Sequence, residues 1–280
     1  MEKLVAAEPA SIELASFVRP DLVPAMEHGA ELCLMLNDTE WALEAKARGM
    51  HFAALVPNLR GYHNLVQARD GRGDDAILDT VVTLVSCSDA HSMANVNRPL
   101  EEALDQTLCI IDQAKADGLR VQAYASLAFG CPFEGAVDPA VVQQVVKAYA
   151  EHGADVVILA DTLGCGLPAQ VTELVSAAKD AIPVERLGLH MHDSHGLAAR
   201  NIEAGAAAGV RRFDAAVGGC GGCNFVPDAK GNISTQAVLG ALESLSIPHA
   251  MDTSAVEDCH AYLESVLERR LELDSMHTRV

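Results

Sequence analysis

The sequence is short of basic residues. It has 20 Lys and Arg against 39 Asp and Glu over 280 residues, which gives a formal net charge of −19 at pH 7. Proteins that bind nucleic acid present a basic face to the phosphates, so this balance excludes nucleic acid as a partner. An anionic ligand would need a local basic patch, because the net negative charge of the chain repels anions.

Long apolar runs and dense cysteine frameworks are also absent. Mean hydropathy is +0.15, yet no run of about 18 or more apolar residues occurs, which argues against a membrane partner. The first residues carry no secretory-signal pattern, and the eight cysteines are scattered along a long chain. We therefore expect a cytoplasmic protein whose thiols are mostly reduced.

Strands and helices are predicted to alternate along the chain. Short apolar or β-branched runs predict seven strands, at residues 11–17, 52–56, 80–86, 120–126, 155–161, 186–192 and 213–217. Ala-rich helical stretches lie between most of them, at residues 40–48, 100–117, 139–152, 168–182 and 198–209. Residues 31–36 fit either a helix or a further strand. We expect one domain over residues 1–280, with C-terminal helices at about 250–280.

This alternation predicts an α/β fold built from parallel βαβ units. The nearly continuous apolar run at residues 156–160 predicts strands that are buried on both faces. A doubly wound sheet and a closed (β/α)8 TIM barrel both fit, but no G-x-G-x-x-G motif follows a strand, which disfavours the nucleotide-binding sheet. We predict the TIM barrel, with one strand fewer than closure requires.

Two histidines mark the end of the sixth predicted strand. His190 and His192 are two residues apart and follow the short run Leu-Gly-Leu at residues 187–189. Alternate side chains of a strand share a face, so both imidazoles are expected on one side. Two such imidazoles supply half of the first shell of a divalent cation. The alternative is one structural histidine in the core and one on the surface.

Other polar residues lie at the ends of predicted strands. Glu13 interrupts an otherwise apolar run, Asp161 closes another, and the seventh strand runs into a Gly-rich segment at residues 218–224. In a barrel these ends meet at one rim, where active sites form. Each residue alone has a structural explanation, since Asp161 could cap a helix and Glu13 could pair with a core base. Their joint placement favours a site.

The sequence resembles the hydroxymethylglutaryl-CoA lyase family. The strongest motifs are Leu-His-Met-His-Asp-Ser-His-Gly at 189–196, Val-Gly-Gly-Cys-Gly-Gly-Cys at 217–223 and Lys-Gly-Asn-Ile-Ser-Thr at 230–235. Further matches lie at residues 12–18, 56–62, 95–97, 129–135 and 160–164. The resemblance runs from about residue 3 to about residue 248 and implies a place in the metal-dependent lyase branch of the TIM barrels.

The resemblance implies an activity, a cofactor and a partner. The reaction is cleavage of 3-hydroxy-3-methylglutaryl-CoA, an acyl-CoA, to acetoacetate and acetyl-CoA, in leucine degradation and ketone-body formation. A divalent cation, Mg²⁺ or Mn²⁺, assists. A longer 3-hydroxy-3-alkylglutaryl-CoA as substrate and a non-catalytic lyase-like barrel are the alternatives. The oligomeric state stays open, with a homodimer among the options.

The resemblance also implies roles for individual residues. His190, His192 and Asn232 match three metal ligands of the family. Cys223 matches its catalytic thiol, the proton donor to the departing enolate. Glu13 and Asp161 match acidic residues around the substrate hydroxyl, where one of them acts as the base or orients it; His190 belongs to both the catalytic and the metal set.

Cys220 and Cys223 form a C-x-x-C pair with two alternative interpretations. In a thioredoxin-like setting the pair would be redox-active, but it follows a late strand rather than the first βα turn. Zinc binding with His195 is the other alternative, although no second cysteine pair has the spacing of a zinc site.

One element of the family pattern has no counterpart. The family's first strand carries an Arg-Asp-Gly triplet, with the Asp as fourth metal ligand, whereas this chain begins at what corresponds to the first helix. Arg-Asp-Gly at residues 69–71 lies in a polar loop and is interpreted as a coincidence. The barrel is therefore expected to be incomplete at the N-terminus. A shortened chain, a degenerate inactive barrel, or another segment or chain that fills the gap would each account for this.

Overall fold

The fold is a single parallel sheet surrounded by helices. A computed structural model describes residues 1–222 and 231–277, and the side chains of residues 1–222 and 231–267. Seven strands pair in chain order, each parallel to the next. They are β1 (Ser11–Ser16), β2 (His51–Leu55), β3 (Thr80–Ser86), β4 (Arg120–Ser126), β5 (Val156–Asp161), β6 (Leu187–Met191) and β7 (Phe213–Asp214).

One helix precedes the first strand, and the others connect the strands or follow the last one. They are α1 (Glu2–Ala6), α2 (Gly29–Leu36), α3 (Glu40–Ala47), α4 (Leu59–Ala68), α5 (Asp89–Val96), α6 (Leu100–Ala116), α7 (Pro139–Glu151), α8 (Pro168–Ala178), α9 (Ala198–Ala207), α10 (Thr235–Ser244) and α11 (Thr253–His277). The ambiguous residues 31–36 belong to helix α2, whose residues Cys33 and Leu36 are buried against β1 and α4. No helix within the described residues is both long and apolar enough to cross a membrane.

The burial pattern of the strands explains the layered packing. All six residues of β5 are buried, as expected for a strand covered on both faces. In β4 burial alternates, with Val121, Ala123 and Ala125 fully buried under the helices. The residues between them on β4 point toward the interior of the curled sheet and include Gln122 and Tyr124. That interior therefore carries polar groups.

The sheet curls into most of a barrel. The hydroxyl of Tyr124 on β4 donates a hydrogen bond to Asp214 on β7, although two strands separate them in the sheet order. Such a contact requires a curved sheet. Within the described residues no strand pairs with the outer edge of β1, so the sheet stays open. The predicted TIM-barrel fold, incomplete by one strand, is confirmed.

The seventh strand differs from its prediction at residues 213–217. β7 ends at Asp214, and a 3-10 turn follows at Val217–Gly219, in which Gly218 has φ +65°. The expected strand was too long, because Ala216 pairs with Ser234 instead of β6 and the chain already turns at Val217. The later segment around Ile233 completes the pairing: its N–H donates to the carbonyl of Met191 at 2.9 Å, and its carbonyl accepts from the N–H of Ala216 at 3.2 Å.

A single helix, α11, occupies the C-terminal region where we expected helices. It packs against α1, and its residue Val256 is buried with Ala7 and Leu239. The ammonium of Lys3 lies 5.6 Å from the ring centroid of Tyr262. These contacts connect the two ends of the described chain. The single-domain organisation over residues 1–280 stays a prediction.

Candidate functional site

The two histidines of the His-x-His motif lie side by side at the carboxyl end of β6. Their ring centroids are 5.2 Å apart. His192 is buried, at 3% exposure, and His190 is partly buried. Strand geometry places both on the same face, as the spacing predicts. The structure therefore brings two imidazoles together at the rim of the curled sheet.

Asn232 joins this pair from a segment far along the chain. It forms an antiparallel bridge with His192. Its side-chain Nδ2 donates to the backbone carbonyl of Cys220 at 3.0 Å, which fixes the amide and leaves Oδ1 outside that bond. An amide oxygen held in this way is a suitable ligand for a hard divalent cation.

The state of His192 also suits a metal ligand. Its Nδ1 is buried and has no hydrogen-bond partner in the part of the chain that the structure describes. Burial lowers the pKa of His192 to about 4, and repulsion from His190 adds to the shift, while contacts with Asn232 and the Thr162 backbone oppose it. A neutral imidazole with an unpartnered buried nitrogen is ready to coordinate a cation.

The candidate ligand set nevertheless lacks a negatively charged side chain. Among the side chains of residues 1–222 and 231–267, no three His, Cys, Asp or Glu are grouped to hold a metal. The set of His190, His192 and Asn232 contains two imidazoles and an amide and no anion. The remaining positions of an octahedral ion would fall to water, to substrate oxygens or to another carboxylate.

Glu13 faces the same interior from β1, at the open edge of the sheet. The residue as a whole is exposed at this edge. Protein atoms around its carboxyl group nevertheless reduce the group's hydration, and this desolvation raises the pKa of Glu13 to about 7. The negative charge of Asp214 raises the pKa further, and His190 opposes the shift. A carboxyl that titrates near neutral pH can take up a proton under working conditions.

Asp161 has a different environment. It is 1% exposed, and its two oxygens accept hydrogen bonds from the backbone N–H groups of Gly164, Cys165 and Gly166, at 3.0, 3.1 and 2.8 Å. Burial raises the pKa of Asp161, and these three bonds oppose the shift. The carboxylate therefore organises the loop after β5, next to the histidines.

Two side chains of this site were missed by sequence reasoning. Asp214 on β7 lies with its Oδ2 3.5 Å from Nδ1 of His190, and Tyr124 packs edge-on against the same imidazole at 5.7 Å between ring centroids. The available signal was an Asp inside the apolar run at 213–217, one strand along from the histidines. Only the curvature of the sheet brings Tyr124 into reach.

Cys223 lies outside the described residues, whereas Cys220 lies within them. Cys220 is partly buried, and its carbonyl accepts the bond from Asn232. His195, the third member of the alternative zinc set, has its Nδ1 2.8 Å from the carbonyl oxygen of Gly164. The redox and zinc alternatives stay untested predictions.

The Arg-Asp-Gly sequence at residues 69–71 lies away from this site. Arg69 donates through Nε to the carbonyl of Leu78 at 3.1 Å, within the loop that leads into the amino end of β3. The candidate site is at the carboxyl ends of the strands. This placement agrees with the interpretation of the triplet as a coincidence.

Comparison with known proteins gives consistent matches. A family model described as HMGL-like matches residues 10–262. The (R)-citramalyl-CoA lyase of Chloroflexus aurantiacus is 35% identical over 273 residues, which cover 97% of this chain and 84% of that protein. The hydroxymethylglutaryl-CoA lyase of Pseudomonas mevalonii is 33% identical, over 88% of this chain and 76% of that protein.

Solved structures give the same result at the level of the fold. An HMG-CoA lyase from Acinetobacter baumannii, in complex with coenzyme A and 3-methylmalate, has a TM-score of 0.84 at 31% identity, over 95% of this chain and 82% of that chain. The carboxyl transferase domain of Rhizobium etli pyruvate carboxylase is 16% identical with a TM-score of 0.63, and shares the fold alone.

Proposed function

The chain belongs to the HMGL-like family, and from this premise we propose that it is a metal-dependent carbon–carbon lyase that acts on an acyl-CoA. The substrate carries a tertiary hydroxyl beside the acetyl-CoA portion, and cleavage releases acetyl-CoA and a keto acid. The observation that carries this proposal is the convergence of His190, His192 and Asn232 at the carboxyl ends of the strands.

We propose 3-hydroxy-3-methylglutaryl-CoA as the substrate, with acetoacetate as the keto acid. Its support is the family model and the relatives named as lyases of this compound. That substrate would place the chain in leucine degradation and ketone-body formation. A longer 3-hydroxy-3-alkylglutaryl-CoA is the alternative within the same chemistry, as is a barrel without catalytic activity.

(R)-Citramalyl-CoA is a second candidate substrate. The observation that favours it is the 35% identity to a lyase of that name over 97% of this chain. Citramalyl-CoA has the same tertiary hydroxyl and lacks one methylene in its carboxylate arm, so its cleavage gives pyruvate in place of acetoacetate. The difference is confined to the keto acid, which makes the two substrates easy to separate in an assay.

The cofactor that we propose is a divalent cation, Mg²⁺ or Mn²⁺, held by His190, His192 and Asn232. When bound, such an ion polarises substrate oxygens and offsets the negative charge that develops on them during cleavage. The protein's own contribution is to hold two adjacent imidazoles and an oriented amide in place before the substrate arrives.

We propose Glu13 as the base that takes the proton of the tertiary hydroxyl. Its support is the position of Glu13 on β1, facing the same interior as the histidines, and a pKa raised to about 7. Asp161 is the weaker candidate, because backbone N–H groups already occupy both of its oxygens. Asp161 would then hold the loop after β5 against the site.

The remaining proton step is assigned to Cys223. As the carbon–carbon bond breaks, its electron pair passes to the acetyl-CoA fragment as an enolate, and the thiol protonates the enolate carbon. Glu13 then carries the hydroxyl proton and Cys223 is a thiolate, so one proton transfer through solvent restores both groups. This role rests on the family motif at residues 217–223.

A direct assay tests the function. The 280-residue chain is incubated with each acyl-CoA and with Mn²⁺, Mg²⁺ or EDTA, and acetyl-CoA and the keto acid are quantified by mass spectrometry. We expect metal-dependent acetyl-CoA release, and its loss with His190→Ala. The rate is expected to be low, because within the described residues no strand pairs with the outer edge of β1.

The matched control is His152→Ala, which removes a histidine on the outer helices that pairs with Asp112. It should leave the acetyl-CoA yield unchanged. Release that persists equally in EDTA would contradict the metal-dependent mechanism. The absence of acetyl-CoA from every substrate, with folded protein and with Mn²⁺ bound, would favour the non-catalytic alternative.

A further inference from the structure

A carboxylate outside the candidate ligand set lies against one of its histidines. The register of β6 and β7 pairs His190 with Asp214. Nδ1 of His190 is 3.5 Å from Oδ2 of Asp214, and the two side chains are 25% and 28% exposed. This is ion-pair distance within a partly enclosed interior, where water competes less for the two groups than it does at the surface.

Asp214 is held in turn by two side chains of β4. The hydroxyl of Tyr124 donates to Oδ2 of Asp214, and Nε2 of Gln122 lies 3.5 Å from Oδ1. Gln122 also donates to the Tyr124 hydroxyl at 2.7 Å. The carboxylate is therefore fixed from the opposite side of the curled sheet and does not depend on His190 for its orientation.

The imidazole of His190 is restricted by the same group of residues. The Tyr124 ring meets it edge-on, with 5.7 Å between centroids and an interplanar angle of 75°. Asp214 lies beside Nδ1, and the ring of His192 lies at 5.2 Å. The ring has neighbours on three sides, so its plane and the direction of its Nδ1 atom are determined by protein atoms.

We propose that Asp214 is a positioning residue that fixes the tautomer of His190. A carboxylate beside Nδ1 favours the proton on that nitrogen, which leaves the lone pair on Nε2 for a cation. Asp214 also places a carboxylate next to a ligand set that contains no anionic side chain. The inference rests on the proposed metal site, and it names the residue that prepares one of its ligands.

The tautomer can be measured without metal and without substrate. Long-range ¹H–¹⁵N spectra of the full chain at about pH 8.5, above the usual titration range of imidazole, distinguish a protonated ring nitrogen from an unprotonated one. We expect His190 to carry its proton on Nδ1. Asp214→Asn and Asp214→Ala should both move the population toward the Nε2-protonated form.

Two further variants separate positioning from general disruption. Asp112→Asn removes the carboxylate beside His152, a pair at 2.8 Å on the outer helices, and should leave the His190 tautomer unchanged. Tyr124→Phe removes one support of Asp214 but keeps the carboxylate, so His190 should keep its proton on Nδ1. A shift with Asp112→Asn equal to that with Asp214→Asn would overturn the inference.

Manganese binding supplies the second readout. Titration with Mn²⁺ alone, followed by electron paramagnetic resonance, should show about a 10- to 100-fold weaker affinity for Asp214→Asn than for the unchanged chain. An unchanged tautomer and unchanged affinity in the folded Asp214 variants would overturn the inference. If the unchanged chain binds no Mn²⁺ while the tautomer shifts as expected, the positioning role is supported and the proposed metal site is wrong.

Discussion

His192 and Asn232 face each other across an antiparallel bridge that attaches the segment after the Gly-rich loop to the end of β6. Two backbone bonds flank the bridge: the N–H of Ile233 donates to the carbonyl of Met191 at 2.9 Å, and the N–H of Asp193 donates to the carbonyl of Gly231 at 3.2 Å. The position of the Asn232 amide therefore depends on backbone pairing as well as on its own side chain.

The first prediction concerns Gly231, the residue before Asn232. A Cβ at this position would lie 2.2 Å from the carbonyl oxygen of Gly221 and 2.8 Å from that of Gly219. Since both neighbours are backbone atoms, Gly231→Ala must displace the bridge. We expect at least a 10-fold loss of Mn²⁺ affinity, on the order of the cost of disturbing outer-shell support, measured by calorimetric titration.

Gly240→Ala is the matched control for Gly231→Ala. Gly240 lies in α10, and a Cβ there meets no atom within 4 Å. Alanine favours helix over glycine by about 1 kcal/mol, so urea unfolding should show equal or higher stability and Mn²⁺ affinity should not change. Equal Mn²⁺ binding by the Gly231 and Gly240 variants would contradict the proposed role of the bridge.

The second prediction concerns His192 itself. His192→Gln removes the buried imidazole whose Nδ1 has no partner among the described residues, and so removes a proposed ligand. Mn²⁺ binding should become undetectable in a calorimetric titration, while the circular dichroism spectrum stays that of the folded chain. His152→Gln, on the outer helices, should bind as the unchanged chain does. Retained Mn²⁺ affinity in His192→Gln would show that the cation binds elsewhere.

The third prediction tests the structural role of Asp161, the weaker candidate for the base, by the free energy of unfolding. Asp161→Asn places an amide group where three backbone N–H groups converge. One donor then loses its acceptor, which costs about 1–3 kcal/mol for a buried group. Urea unfolding should report this loss, and Asp105→Asn, an exposed carboxylate of α6, should unfold as the unchanged chain does. Unaltered stability of Asp161→Asn would argue against its role in the loop.

The fourth prediction concerns the pH dependence of catalysis. A base acts in its deprotonated form, and the pKa of Glu13 is raised to about 7. The rate should therefore rise as pH increases through about 7 and fall below it. Glu13→Gln should lower turnover by about 10²- to 10⁴-fold and leave Mn²⁺ affinity within a few-fold.

Glu101→Gln, an exposed carboxylate in the first turn of α6, is the control for Glu13→Gln and should keep the full rate. A pH profile that is the same in Glu13→Gln as in the unchanged chain would assign the base to another group. Asp161→Asn measured in the same assay then becomes the decisive variant.

Much of the fold could be predicted because its signals are local. The apolar run that ends in His190 and His192 predicts a strand, and the period of two places both imidazoles on one face whatever the rest of the chain does. The family motifs predicted that Glu13, Asp161 and Asn232 belong to one site, and this assignment stays a prediction. The residues of helix α2 could not be assigned to a helix or a strand from the sequence, because their apolar positions show no clear period. In the structure, α2 is a helix that packs against β1 and α4.

What the tertiary structure decided depends on the curvature of the sheet. Asp214 lies beside His190 because the neighbouring strands β6 and β7 pair in that register. Tyr124 lies on β4, which is not adjacent to β6 or β7, so only the curl of the sheet brings it to His190 and Asp214. The engagement of Asp161 by three backbone N–H groups depends on the path of the loop after β5. Sequence periodicity determines which face a side chain occupies, whereas its partners across the barrel follow from long-range packing that no local pattern contains.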